Sequence, residues 1–230
     1  MRFKALLLDI DGTLLDTAPD MVSALNRLLI SEGKSEIDYI TASKFVSKGA
    51  AALVKLGFGL ELKEVDFERL RQAFLKEYEQ HICVDTKPFD GMLEILDWCE
   101  KKDIYWGIVT NKPDYLVKPI LDQLQLTERS AVNVGGTTLS VTKPHPAPLL
   151  HCTTLLHIAP SDCLYVGDDE RDIQAGRAAG MDTAVANWGY IDDDINPEDW
   201  EPNFICNRPE GLFRLIKDLN ETRNMNAQDS

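Results

Sequence analysis

Short apolar runs that stop at a carboxylate or a hydroxyl recur along this chain of 230 residues. Residues 3–9 read FKALLLD and break at Gly12-Thr13. DIYWGIVT, residues 103–110, breaks at Asn111-Lys112-Pro113. DCLYVGDD spans 162–169, and DTAVAN spans 182–187 before Trp188-Gly189. A weaker run, AVNV at 131–134, precedes Gly135-Gly136. Runs this short and this uniformly apolar become strands covered on both faces. Between them the apolar period changes to that of a helix, over 91–102, 114–126, 146–157 and 171–180. Pro119 interrupts the second of these and predicts a kink or a late helix start. Gly180 stands where a helix C-cap is expected. Strand then helix, repeated, predicts an α/β fold: an open parallel sheet with helices on both faces.

The stretch from Thr17 to Pro88 breaks this rhythm. It contains no convincing strand and reads as three helices, 19–32 closed by Gly33, 40–56 and 64–81. It carries a net charge of -1, whereas the remainder carries -13. About seventy residues of helix is far more than a connection needs. The expectation is a core domain from 1–16 and 89–220, an inserted all-helical domain over 17–88, and a frayed polar tail at 221–230.

Composition narrows the partners. There are 38 Asp and Glu against 24 Lys and Arg, a formal charge of -14. Such a surface repels nucleic acid and anionic membrane. A small anionic substrate remains compatible, because a metal ion and a lysine can reverse the sign locally. The five cysteines show no C-x-x-C spacing, and His151 and His157 are six apart, so neither a disulfide framework nor a zinc knuckle fits. Buried thiols in a reducing cytosol, with a cytoplasmic location, are the expectation. No apolar run approaches a membrane span, and residues 1–8 read as a first strand and not a signal peptide. A monomer and a homodimer both stay open.

Candidate chemistry sits where the strands stop. Asp9 and Asp11 follow the first strand with one residue between them, which on extended chain points both carboxylates to one side. Two adjacent anions are costly unless a cation lies between them or one keeps its proton. A hard divalent cation takes oxygen ligands, and Mg²⁺ suits one or two carboxylates plus substrate phosphate. Thr110 ends a strand with a hydroxyl, Lys143 supplies a cation before Pro144, and Asp168, Asp169 and Asp172 cluster after another strand. Each alone has an ordinary reading: a helix cap, a solvated loop lysine, an acidic first turn. Together they converge: Asp9, Thr110 and Asp168 lie at the carboxyl ends of predicted parallel strands, with Lys143 on a nearby loop, where open α/β sheets bind ligands. Trp188 and Tyr190 read as core aromatics or as a wall of that site.

DIDGTLLDT, VTNK, KPHPAP and VGDDERD resemble, in order and separation, the four motifs of the haloacid dehalogenase superfamily of phosphatases. The likeness covers essentially the whole chain and implies a Rossmann-like core with a helical cap. It implies Asp9 as the nucleophile that forms an aspartyl-phosphate and Asp11 as the acid and base. It further implies Thr110, Asn111 and Lys143 as phosphoryl holders, and Asp172 as a support for Lys143 or for metal-bound water. Asp9, the Asp11 carbonyl and Asp168 would be the Mg²⁺ ligands. Within the superfamily the cap and tail are similar to the phosphoglycolate phosphatase branch. VGDDERDIQAGRAAGM, WGYI and NPEDW are more similar still to bacterial N-acetylmuramic acid 6-phosphate phosphatases. The implied activity is hydrolysis of a small acidic metabolite or sugar phosphate. A sugar phosphomutase is the alternative inside the superfamily, and a catalytically silent binding protein the alternative outside enzymes. Residues 45–50 occupy the branch's substrate-facing cap loop, so Lys48 and Gly49 are the candidate cap contacts. Lys48 stands where those relatives carry glycine, and it reads as a partner for a substrate carboxylate or as an exposed helix lysine.

Overall fold

The computed structural model describes residues 3–59 and 66–225, with side chains described as far as residue 221. Its centre is a six-stranded, wholly parallel sheet. Strand β1 (Ala5–Leu8) leads through β2 (Leu15–Asp16) to four helices: α1 (Ala18–Ser31), α2 (Tyr39–Ser43), α3 (Gly49–Phe58) and α4 (Phe67–Gln80). The chain returns by β3 (Lys87–Pro88), then α5 (Met92–Lys101), β4 (Tyr105–Val109), α6 (Asp114–Gln123), β5 (Val132–Val134) and α7 (Ala147–Leu156). It finishes with β6 (Cys163–Gly167), α8 (Glu170–Ala179), β7 (Asp182–Ala186), β8 (Phe204–Cys206) and α9 (Pro209–Met225). The strand order is β5-β4-β1-β6-β7-β8.

The two faces of the sheet follow from side-chain alternation. Leu6, Leu8, Leu164 and Val166 enter one apolar layer with residues of α5, α6 and α9. Ala5, Leu7, Cys163 and Tyr165 enter the other with α7 and α8. Each fully covered Leu is worth about 1.5–3 kcal/mol over an exposed one, so a one-residue slip of β1 would exchange its partners and is strongly disfavoured.

The helical insertion leaves and rejoins the core through one narrow strip. Leu15 and Asp16 pair antiparallel with Pro88 and Lys87. Beside it, the Asp20 carboxylate on α1 accepts from the backbone N–H groups of Val84, Asp85 and Thr86 and from the Thr86 hydroxyl, at 2.6–3.2 Å.

Several expectations need correction. The single helix over 40–56 is two helices separated by residues 44–48, and Gly49 takes φ +81, a left-handed value that a helix interior does not accept. The helix after β4 starts at Asp114 and carries Pro119 inside it, so no late start occurs; the carbonyl that loses its donor belongs to exposed Tyr115. Strand β8 and the two-residue strands β2 and β3 were not foreseen. Helix α9 runs to Met225, so 221–225 are helical, while 226–230 lie outside the described residues. The expected helix over 64–81 is described from Phe67; residues 64 and 65 lie outside the described residues.

Candidate active site

Register brings the site together. Leu8 pairs with Ile108 on one side and Val166 on the other. Asp9 follows that level by one residue and Thr110 and Asp168 by two, so the three side chains stand at the carboxyl ends of three adjacent strands. This is also where the strand order reverses, β4 and β5 extending from one side of β1 and β6 to β8 from the other. Gly12 turns the chain at φ +77, and a Cβ there would fall on the Asp168 carboxylate. Only glycine lets the two loops approach that closely.

Lys143 is the hub of the buried charges. Its Nζ donates to Asp172 Oδ1 at 2.6 Å, to the Tyr165 hydroxyl at 2.8 Å and to the Val109 carbonyl at 3.0 Å. It also lies 3.0 Å from Asp9 Oδ1, as an ion pair that lacks hydrogen-bond alignment. Asp172 is fully engaged, because its Oδ2 accepts the Asp169 N–H and so closes a capping box on α8. Asp168 is different: Oδ2 accepts from Ser47 Oγ at 2.6 Å and from the Tyr190 N–H at 2.8 Å, while buried Oδ1 has no hydrogen-bond partner.

These environments move the pKa values. Burial pushes Asp9 up to about 6; Lys143 opposes the shift, and the Asp172 and Asp11 charges add to it. Burial, then the charge of Asp9, holds Asp168 well above the usual carboxylate range. Burial would depress Lys143, but the charges of Asp172 and Asp9 more than offset it and raise its pKa.

Asp11 faces a second lysine, which sequence reasoning missed. Lys112 Nζ donates to both Asp11 oxygens, at 2.9 and 3.1 Å, and the Thr17 hydroxyl donates to Oδ1 at 2.6 Å. The ammonium sits 4.6 Å from the centre of the Tyr78 ring, contributed by α4. The pair Asp9–Asp11 is thus not relieved by one shared cation: each aspartate has its own lysine. The signal was present in VTNK, but only the fold shows which carboxylate Lys112 meets.

Thr110 is buried at the end of β4, where its hydroxyl accepts the Lys112 N–H at 3.2 Å. The Asn111 side chain clamps the Lys143 backbone, donating to its carbonyl and accepting its N–H, both at 2.9 Å. That amide is committed to placing Lys143.

Four buried carboxylates, Asp9, Asp11, Asp168 and Asp172, face only two buried ammoniums, Lys112 and Lys143. With every group ionised the cluster would carry about two negative units, which is costly in a dry site and is relieved by protons or by a cation. Oxygen atoms of Asp9, Asp168 and Asp172 lie within 4.8 Å of one another. The unpartnered Asp168 oxygen and the all-oxygen donor set fit a hard divalent cation.

The helical insertion closes over this centre, leaving a cavity of about 240 Å³. Ser47 enters from the loop before α3: besides bonding Asp168, its hydroxyl lies 3.5 Å from the Asp11 carbonyl. Arg171 Nη2 donates to the Ser47 carbonyl at 2.7 Å, and Lys44 pairs with Asp192 and Asp193 at 3.0 and 2.9 Å. Lys48 and Gly49 both line the cavity, but Lys48 is an exposed residue whose ammonium rests 5.0 Å from the Phe45 ring centre. Helix α4, not foreseen as part of the site, contributes Arg71, Phe74, Leu75 and Tyr78. Trp188 and Tyr190 are half-buried and brace the junction instead. Trp188 Nε1 donates to the Thr13 carbonyl at 3.1 Å, and the Tyr190 hydroxyl donates to Asp16 and accepts the Ala18 N–H, at 2.7 and 2.9 Å.

Comparison with known proteins agrees with this geometry. The family described as haloacid dehalogenase-like hydrolase matches residues 6–186. The chain is 42% identical to an N-acetylmuramic acid 6-phosphate phosphatase of Pseudomonas aeruginosa, over 94% of this chain and 96% of that protein. It is 43% identical to a phosphoglycolate phosphatase of Xylella fastidiosa, over 92% of each. Among solved structures, a predicted phosphoglycolate phosphatase from Haemophilus somnus superimposes with a TM-score of 0.83 at 25% identity, covering 94% of this chain and 99% of that one.

Proposed function

This chain belongs to the haloacid dehalogenase-like hydrolases and is a phosphatase, and we propose that it is a Mg²⁺-dependent phosphomonoesterase working through an aspartyl-phosphate on Asp9. The observation that carries the reading is the surplus of buried negative charge around Asp9 and Asp168, with a carboxylate oxygen left unpartnered.

Asp9 attacks phosphorus: an oxygen–phosphorus bond forms to its carboxylate as the bond to the substrate oxygen breaks. Asp11 gives its proton to the departing oxygen and then takes one from the water that attacks the phosphoenzyme, which frees Asp9 and inorganic phosphate. Lys143 neutralises Asp9 and the transferring group, and Asp172 and Asn111 position Lys143 from two sides. The Thr110 hydroxyl and the Asn111 backbone N–H hold phosphoryl oxygens. Asp9, Asp168 and the Asp11 carbonyl would hold Mg²⁺, which would supply positive charge to offset that of the phosphoryl group.

The division of labour follows the chain: residues 1–16 and 89–220 form the catalytic core, and 17–88 form the cap. The cap, with Lys48 and Gly49 at its edge, encloses a small phosphorylated metabolite in the cytoplasm and keeps bulk water out during the first step. The names borne by the relatives frame the substrate as phosphoglycolate or N-acetylmuramic acid 6-phosphate.

The test is phosphate release from p-nitrophenyl phosphate and from both metabolites, in water, with Mg²⁺. Release is expected to vanish with chelator and in Asp9→Asn, while circular dichroism stays unchanged. Full activity in Asp9→Asn overturns the nucleophile assignment. Return of phosphate to the sugar without free phosphate would make the enzyme a mutase.

A further inference from the structure

Helix α4 lines the cavity over a longer stretch than Lys48, the candidate cap contact, does. Arg71, Phe74, Leu75 and Tyr78 fall at i, i+3, i+4 and i+7, which is one face of a helix, and all four line the cavity. The face is graded. Tyr78 is deepest, its ring beside Lys112 and hence beside Asp11. Phe74 lies nearly parallel to it, with ring centres 6.4 Å apart. Arg71 comes last, half-exposed, its Nε and Nη2 held at 2.7 Å by Glu68. That pair uses one edge of the guanidinium and leaves Nη1, on the other edge, outside it.

Distance selects the ligand. From Tyr78 to Arg71 is seven residues, about 10 Å along the helix at about 1.5 Å per residue. In a two-carbon acid phosphate, three bonds of roughly 1.5 Å separate phosphorus from the carboxyl carbon, about 4 Å in reach. Such a molecule, with its phosphate at Asp9, keeps its carboxyl toward the Tyr78 end of α4, a helical stretch of about 10 Å from the position of Arg71. A sugar phosphate bearing a carboxylate on the opposite side of its ring has roughly eight bonds between the two anions and spans about 10 Å. Its ring would lie along the apolar stretch of α4, and its carboxylate would meet a guanidinium already oriented by Glu68. Lys48, by contrast, follows Ser47, which bonds Asp168 at the phosphate end.

We infer that the substrate is a phosphorylated sugar acid, read by Arg71 at the outer end of α4, and not a two-carbon acid phosphate. This rests on the phosphatase reading above, and its test is a binding measurement that does not depend on turnover. Calorimetry in an Asp9→Asn background compares three probes: N-acetylmuramic acid 6-phosphate, N-acetylglucosamine 6-phosphate, which is the same sugar without the acid arm, and phosphoglycolate. The acidic sugar is expected to bind at least tenfold more tightly than either of the others. Arg71→Gln should shrink its advantage over the neutral sugar at least fivefold, Arg71→Lys should restore part of it, and Lys48→Gln should leave the ratio within twofold. Tighter binding of phosphoglycolate, or a ratio that collapses in Lys48→Gln and holds in Arg71→Gln, overturns the inference. Absence of phosphate release by the Asp9-containing enzyme refutes the phosphatase reading instead, and the affinity ratios still decide the role of Arg71.

Discussion

Lys112 and Asp11 form a two-pronged pair with almost no solvent access, their side chains 4% and 13% exposed. Burial would depress the Lys112 pKa, but the Asp11 charge more than offsets it and the ammonium is held charged. Removing one member of such a pair leaves the other buried without its counter-charge, at a cost of about 3–5 kcal/mol. Lys112→Met is therefore expected to lose about that much unfolding free energy in urea, and turnover with it. Adding Asp11→Asn should recover part of the lost stability, because an amide tolerates an apolar neighbour better than a carboxylate does. A double variant as unstable as the sum of its parts would show that the two side chains do not depend on each other. At this scale the sequence was legible for Asp9, Thr110 and Asp168, because those residues follow strand ends and strand register brings them together, whereas Lys143, on the loop between β5 and α7, was legible only from the motif around it. It was opaque for Lys112, Ser47 and Arg71. The partners of Lys112 and Ser47 come from other elements, no spacing along the chain encodes which lysine meets which aspartate, and the pair of Arg71 with Glu68 on its own helix does not distinguish a cavity-lining arginine from a surface one.

The elements that carry the cap depend on one buried carboxylate. Asp20 holds three successive backbone N–H groups and a hydroxyl of residues 84–86, just where the chain re-enters the core. Asp20→Ala strips the partners from that turn, and the Thr86 N–H is buried with it. Each buried donor left unsatisfied costs about 1–3 kcal/mol, so a loss of about 2–4 kcal/mol is expected after partial rehydration of the exposed Val84 end. Faster backbone hydrogen exchange over residues 84–88 should accompany it; unchanged exchange there would contradict the assignment. The sheet strands and most helices were readable because their apolar periods are strong. Strand β8 was not, since of its three residues only Cys206 is buried. The break between α2 and α3 was hidden by residues 40–56 having a helical period throughout; Gly49 permits a turn there, and the bond from Ser47 to Asp168 uses it.

For the molecule as a whole, several contacts between the insertion and the core end at the charge cluster, Ser47 on Asp168 and Tyr78 over Lys112 among them, so metal, cap and proton are linked. Without metal, the folded protein keeps Asp9 up to about 6 and Asp168 well above its ordinary value. In the unfolded chain both return to about 3.9. A carboxylate whose folded pKa is raised makes the folded state bind protons that the unfolded chain has already released. Between about pH 4 and 6, and further for Asp168, stability of the metal-free protein must therefore fall as pH rises. For Asp9 alone the difference is on the order of 2–3 kcal/mol. A divalent cation replaces those protons and removes the penalty, and it competes with them at low pH. The gain in melting temperature from chelator to Mg²⁺ should therefore be several degrees at pH 7.5 and shrink toward zero by pH 5, at about 2–4 °C per kcal/mol for a chain of this size. Differential scanning calorimetry at the two pH values reads it directly. An equal gain at both would mean that the cation binds somewhere other than the Asp9–Asp168 cluster, because no other buried group among the described residues combines a raised carboxylate pKa with an unpartnered oxygen.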